Sequence, residues 1–363
     1  MALQNNLRVG IFFLIAFSHF LINVNARNFT IQSEDGDIID CVNIYEQPAF
    51  RHPLLKDHIV QLRPSSSPPI LPKRNKSPFA TWKNYGNCPE GSIPISRTNS
   101  FLSPKTRTDV RLDFKHEYAK AFIQSDGPYF GTSARLNVWN TPTFDGETTV
   151  SQIWVQGGDD KYLNSIEAGW QVKAGDNKAR LFIYWTRDNY GSTGCYNLQC
   201  PGFVQVNHKI AFDSISTPIS TFNGPQYYME LTIHKDRTSG NWWLRYGNQE
   251  LGYWPSDLFT SLKESANTII WGGEVENSEK NKRHTSTQMG SGHYPGVGYK
   301  KAAFMFNLKY IDGNGQIKEP NQLQRMVTNE FCYDLIVREK DLNGFGVHFF
   351  YGGPGFTTSG QCL

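Results

Sequence analysis

The sequence predicts an all-β protein, an antiparallel two-sheet β-sandwich of jelly-roll type preceded by a small, mostly β N-terminal unit. Three observations carry that expectation. From Pro128 onward, short stretches of alternating apolar and polar residues recur, separated by Gly, Asn, Asp and Pro clusters at the spacing of a sandwich. Aromatic residues make up 14 % of the chain, beside 32 Gly and 19 Pro, a composition suited to strands and turns. No strand–helix–strand rhythm runs through it, and only Ser256–Ser265 and Gln322–Thr328 read as short helices.

The expected strands, in chain order, are Ala134–Trp139, Val150–Gln156, Ser165–Lys173, Arg180–Thr186, Gly202–Asn207, Gln226–Ile233, Asn241–Tyr246, Thr268–Val275, Ala302–Ile311 and Val347–Tyr351. Ahead of them, Val110–Gln124 alternates well enough for one or two more. Residues 27–97 hold a mixed polar and apolar stretch and the proline-rich run Pro64–Pro72, which favours extended, unpaired backbone. The division expected is a leader over 1–26, an N-terminal unit over 27–104, a linker over 105–128 and the sandwich over 129–363.

The leader follows from Arg8 in a polar start, the apolar run Val9–Val24 and the small residue Ala26, the pattern of a cleaved secretory signal peptide. Its removal leaves no segment apolar enough to span a bilayer. A net charge of +3, with no long Arg/Lys run, excludes a phosphate-tracking surface, so no nucleic-acid partner is expected. Secretion makes the six cysteines disulfide candidates with fifteen possible full pairings. Cys195 and Cys200 bracket a four-residue turn, Cys332 and Cys362 flank the C-terminal segment, and Cys41 and Cys88 remain in the N-terminal third. Asn28 and Asn75 head the two N-glycosylation sequons. No His/Cys spacing matches a metal site, so neither metal nor cofactor is expected.

Two glutamates stand out within the strands. Glu167 lies in Ser-Ile-Glu-Ala-Gly-Trp and Glu274 in Ile-Ile-Trp-Gly-Gly-Glu-Val, neither of which reads as a solvated surface. Side chains alternate along a strand, so Glu167 shares a face with Gly169 and Gln171, and Glu274 with Gly272 and Ile270. A glycine two residues away on each glutamate's own face would leave room for a substrate backbone. A desolvated carboxyl group holds its proton to higher pH, and two facing one cleft could divide acid and base work.

Longer motifs resemble a known family. Tyr129–Trp139, Ser165–Val172, Thr193–Cys200, Gly202–Gln205, Gly240–Leu244, Gly252–Pro255, Gly272–Glu274, His284–His293 and Tyr351–Gly355 occur in one order, and the chain resembles the neprosin family of secreted plant glutamic peptidases. The stretch from Cys41 through residue 64 resembles that family's N-terminal activation domain. The resemblance implies a pair of antiparallel sheets with catalytic glutamates at Glu167 and Glu274. It implies cleavage after proline in acid, and a zymogen whose own pro-domain covers the cleft as an intramolecular inhibitor until acid releases it. It also implies the Cys195–Cys200 and Cys332–Cys362 disulfides that proximity favours, leaving Cys41–Cys88 by exclusion.

The expectation is therefore a secreted endopeptidase of the extracellular space, apoplast or vacuole, working as a monomer on proline-containing peptides or proteins. No Gly-x-Ser-x-Gly elbow is present, and three disulfides would leave no free thiol, which disfavours a covalent route. Gln171, Tyr184 and Gln205 are candidates for binding substrate carbonyls, whereas Trp154 and Trp170 read as core, His284 and His293 as loop structure, and Glu276 as the solvated end of its strand. Pro104 is the first candidate for the activation cut and Pro128 the second. The competing readings are a jelly-roll glycoside hydrolase using the same two glutamates, and a non-catalytic cell-wall or carbohydrate-binding protein.

Overall fold

The computed structural model describes residues 29–33, 35–69, 79–80, 86–97, 115–144, 146–278, 284–338, 344–358 and 362. The leader, the sequons at Asn28 and Asn75, and Pro104 lie outside these residues. In the N-terminal unit, β1 (Phe29–Gln32), β2 (Ile38–Asn43) and β4 (Ser92–Ser96) form a small antiparallel sheet, while β3 (Phe79–Ala80) pairs with β12 (Ser216–Thr217).

Two larger antiparallel sheets make the sandwich. The seven-stranded sheet runs β10 (Cys195–Tyr196), β9 (Arg180–Thr186), β8 (Asn164–Lys173), β7 (Thr148–Gly157), β16 (Ala266–Asn277), β5 (Lys115–Tyr129) and β19 (Gln324–Val327). The nine-stranded sheet runs β11 (Val204–Gln205), β15 (Gln249–Trp254), β14 (Trp242–Tyr246), β13 (Tyr228–Lys235), β6 (Gly131–Asn137), β17 (Ala303–Ile311), β21 (His348–Gly352) and β20 (Asp334–Arg338), with β18 (Ile317–Lys318) pairing to β17.

Strand parity sorts the core from the outer faces. Ile166, Ala168 and Trp170 on β8, and Trp271 and Val275 on β16, point inward and are fully buried. They meet Leu231, Ile233, Leu244 and Met305 from the nine-stranded sheet in one continuous core. Each buried tryptophan contributes on the order of 4 kcal/mol by area removed from water. Both indoles also satisfy their N–H on β6: Trp170 Nε1 donates to the Asn137 carbonyl at 3.0 Å and Trp271 Nε1 to Thr132 Oγ1 at 3.0 Å. The strands carrying the two glutamates are thereby tied to the same strand of the opposite sheet.

Gly169 is needed for strand geometry as well as for space. A Cβ there would collide with the Ser151 carbonyl oxygen of β7 and come within 2.7 Å of Gln152 Cα. The clash is with backbone, which cannot rotate away. Gly169→Ala is therefore expected to destabilise the fold by several kcal/mol, about 1–3 or more on the scale of overpacked sites. Urea unfolding checks this, and an unchanged midpoint would refute it.

The structure corrects several expectations. Gln322–Thr328 is not a helix: Gln324–Val327 is an edge strand paired to Phe122–Ala119. Ser256–Ser265 holds two single 3₁₀ turns, Ser256–Leu258 and Ser261–Lys263. Gly202–Asn207 contains only the two-residue β11. The linker expected over 105–128 does not extend past residue 114, because Lys115–Tyr129 is one strand hydrogen-bonded between β16 and β19. Pro128, the second candidate for the cut, falls within the span of that strand rather than in a linker; it is exposed, at the register shift where β5 leaves its ladder with β16 between Gln124 and Tyr129. The disulfides are Cys41–Cys88, Cys195–Cys200 and Cys332–Cys362, with no free cysteine.

Besides the β3–β12 pair and the Cys88 N–H donating to the His208 carbonyl, the N-terminal unit makes polar contacts with the sandwich along one edge and one face. At the edge Arg180, which begins β9 and is braced by Asp176, donates to Asp37, and Lys178 pairs with Asp35. Residues 47–69 lie on the outer face of the nine-stranded sheet, over Trp243 and Tyr253.

Candidate active site

Cross-strand register places the glutamates on one outward face of the seven-stranded sheet. One row across the strands reads Tyr184, Glu167, Trp154, Ile270, Phe122. The next reads Phe182, Gly169, Gln152, Gly272, Lys120, and the third Arg180, Gln171, Val150, Glu274, Tyr118. The two carboxylates thus stand diagonally across a middle row that contains both glycines. That row is a low floor between two acids.

Glu167 is 5 % exposed. Tyr190 Oη donates to its Oε1 at 2.7 Å and Ser165 Oγ at 3.0 Å, bonds that favour the ionised form. Burial outweighs them and, with the charge of Glu274, pushes the carboxyl up to about 7. Glu274 has different surroundings: His116 Nδ1 lies 2.6 Å from Oε1, and Gln152 Nε2 donates to Oε2 at 2.9 Å. Lys120 sits on the floor with its ammonium 4.3 Å from the Tyr118 ring centre. Burial lowers its pKa, while Glu274 and Glu167 oppose that shift. Burial first, then the carboxylate charges, raises Tyr118 and Tyr190, so both keep their hydroxyl protons.

Of the residues expected from sequence, Gln171 and Tyr184 lie on this face beside the glutamates. Tyr184 stacks with Tyr190 at 5.9 Å and packs on Tyr196 at 4.6 Å, forming an aromatic wall next to Glu167. Gln205 is not part of the group. It lies on β11 of the other sheet, where its Nε2 donates to the carbonyls of Asn207 and Ile210 and its backbone N–H to Gln47. Trp154, expected in the core, instead pairs with Glu167 on the site face, because its parity is that of Gln152. Glu276 is half-buried with its carboxyl raised by burial and by Glu274, so it is not a fully solvated strand end.

Sequence reading missed His116, Tyr118, Lys120 and Gln152. The signal that could have found the first three is their two-residue spacing in Lys-His-Glu-Tyr-Ala-Lys, opposite the buried Ala119, Ala121 and Ile123. Two amide atoms on the face, Gln152 Oε1 and Gln171 Nε2, are buried without a hydrogen-bond partner among the described residues.

His284 does hold a loop. Its Nε2 lies 2.8 Å from buried Glu117 Oε2, whose other oxygen accepts from Asn277. His284 also neighbours Cys332 and Cys362, but those sulfurs are bonded to each other and offer no thiolate to a metal. His293 packs on the Phe222 ring at 4.6 Å. No helix among the described residues is long and apolar enough to cross a membrane.

Fold and site together define an all-β sandwich with an acid pair on one sheet face. Comparison with known proteins makes the assignment specific. The family model described as Neprosin matches residues 145–354, and that described as Neprosin activation peptide matches residues 30–120. The chain belongs to the Neprosin family and carries its activation peptide. Among solved structures, scytalido-glutamic peptidase with a peptide-based transition state analogue is 8 % identical, covering 66 % of this chain and 99 % of that one with a TM-score of 0.36. SCP-B, described as an Eqolisin-family peptidase in complex with the tripeptide Ala-Ile-His, is 10 % identical over 66 % and 98 %, with a TM-score of 0.36. These likenesses are distant.

Proposed function

We propose that this protein is a secreted, acid-active glutamic endopeptidase, made as a zymogen and cleaving after proline, with Glu167 and Glu274 as its acid/base pair. The observation that carries the reading is the diagonal placement of the two carboxylates across a glycine floor, one of them buried enough to stay protonated in acid. Glu167 is the proton donor, since burial keeps its proton on below about 7. Glu274, held by His116 and Gln152, is the carboxylate that takes a proton from the attacking water. Water adds to the peptide carbonyl as Glu274 receives its proton. Glu167 donates to the carbonyl oxygen or to the departing amine. Gln171 Nε2 and Gln152 Oε1 have unused hydrogen-bond capacity to align a substrate main chain across the floor. Membership of the Neprosin family supports the peptidase class, and the activation-peptide match supports the zymogen.

Incubation with a proline-containing peptide at acidic pH, beside a polysaccharide panel, tests the reading. Peptide cleavage on the carboxyl side of proline is expected. Release of sugars without peptide cleavage would establish the glycoside hydrolase reading instead, and neither activity would leave a binding protein.

Activation in this scheme is a cut ahead of residue 115, with Pro104 the favoured position. Two histidines of the N-terminal unit give the acid trigger a physical basis. Burial, then the charge of Arg187, lowers the pKa of His52; burial lowers that of His58, against the opposing charge of Asp257. A histidine whose docked pKa is depressed binds its proton more readily once released. Docking is therefore undisturbed above the ordinary value of 6.5 and weakens as pH falls below it. The double variant His52→Gln/His58→Gln is expected to move the midpoint of N-terminal release toward acid. Size-exclusion chromatography across a pH series reads it, and an unchanged midpoint removes the histidines from the trigger.

A further inference from the structure

The segment 58–69 does not lie over the two glutamates. It crosses the outer face of the nine-stranded sheet, on the far side of the sandwich. The contacts there read an extended chain through its backbone. Arg245 Nη1 donates to the Pro68 carbonyl at 2.8 Å and Nη2 to the Pro69 carbonyl at 3.3 Å. Asp236 Oδ2 accepts the Ser65 N–H at 2.8 Å, and Tyr253 Oη accepts the Gln61 N–H at 2.9 Å. The floor is aromatic: Trp243 and Tyr253 stand with ring centres 4.7 Å apart. Asn241 and Asp236 also hold the Gln61 side chain.

This arrangement selects a type of chain. Two successive prolines expose carbonyl acceptors and no N–H donors, and one guanidinium meets both carbonyls. Upstream N–H groups find a carboxylate and a phenol. Aromatic floors with a few donors aimed at carbonyls are how proline-rich extended segments are held elsewhere. Arg245 is 4 % exposed, and its Nε has no hydrogen-bond partner among the described residues. That burial is the burial under the segment itself; when the segment leaves, Glu250 Oε1, 3.9 Å from Nη1, stays beside the guanidinium and the donors freed from the two carbonyls are open to a replacement.

We infer that, once residues up to at least 97 have left, this groove is a second binding site that takes an extended Pro-Pro-containing segment of a substrate polypeptide, remote from the acid pair. The inference rests on the zymogen reading above. In the precursor the groove is filled by the chain's own segment. In the mature protein the same contacts hold a proline-rich substrate and raise its local concentration at the cleavage face.

The test uses mature protein carrying Glu274→Gln, processed in trans by wild-type enzyme so that the probe is not cleaved. Loss of residues 29–97 is first verified by mass spectrometry and size exclusion. The probe is a synthetic peptide of residues 58–69, titrated calorimetrically. Binding of one peptide per protein is expected, undisturbed by a saturating active-site peptide. Replacing Pro68 and Pro69 of the probe by alanine should weaken it about tenfold or more, as should Arg245→Gln in the protein. The peptide variant needs no refolding of the protein, so the result stands even if Arg245→Gln is unstable. A mature protein with a vacant groove that ignores the probe, or whose probe the active-site peptide displaces, overturns the second site and leaves the zymogen reading intact. A processed protein that retains residues 29–97 at every pH overturns both.

Discussion

Glu167→Gln and Glu274→Gln are each expected to lower peptide turnover by at least ~10², the usual contribution of a general acid or base, with the fold retained. Glutamine keeps the shape of either side chain but can neither ionise nor release a proton. The two variants should part company in stability. Glu167 has its carboxyl raised from 4.5 to about 7 by burial and by the charge of Glu274. A group so raised favours the folded state fully only below its unfolded value, and that advantage is lost as pH climbs through the folded value. The rise corresponds to about 3 kcal/mol. Glu167→Gln should therefore match wild type in stability near pH 4 and exceed it by up to that amount near pH 8. Thermal melts of both proteins at the two pH values measure this. More than about a tenth of wild-type turnover in either folded variant would end the two-glutamate assignment.

The second large effect concerns where the mature chain begins. β5 is an interior strand of the sheet that bears the acids, and it brings His116, Tyr118 and Lys120 to the site face and Ala119, Ala121 and Ile123 to the core. A chain starting at Lys115 should fold and, once free of the N-terminal unit, be active. A chain starting at Tyr129 lacks the strand. It loses its ladder to β16 and leaves apolar surface bare, a cost on the order of a domain's whole stability, ~5–15 kcal/mol. It should be recovered only as aggregate. Soluble, active protein beginning at Tyr129 would show that β5 contributes nothing to the site.

Alternation made much of this legible beforehand. The apolar partners of Glu167 and Glu274 identify their strands, and parity places Gln171 and the glycines on the right face. Other features resist a local reading. Trp154 and Trp170 are alike in composition and sit on opposite faces, because only register to β8 tells which side Trp154 takes. Gln205 sits on β11 of the opposite sheet, where its Nε2 is taken by the Asn207 and Ile210 carbonyls and its Oε1 is buried without a partner among the described residues; only the sheet pairing shows that it is remote from the acids. Gln324–Val327 has no apolar periodicity of its own and becomes a strand by pairing with β5. Lys115–Lys120 gives a mixed signal: its alternation fits a strand, while five ionisable residues in six fit the linker in which it was expected. In the fold those charges divide between a buried Glu117 held by His284 and a site face crowded with carboxylates.

The position of β5 bears on how such proteins can be recombined. The activation-peptide match ends at residue 120, inside a strand that also supplies the neighbours of Glu274. A chimera joined at that boundary would import the donor's His116, Tyr118 and Lys120 along with its inhibitor. The recipient's specificity and proton inventory would shift together, even with both glutamates unchanged. Exchange of pro-segments between paralogues stays neutral for catalysis only when the crossover falls ahead of Lys115, so the inherited unit of activity is longer at its N-terminal end than the unit that remains after the inhibitor's nominal edge.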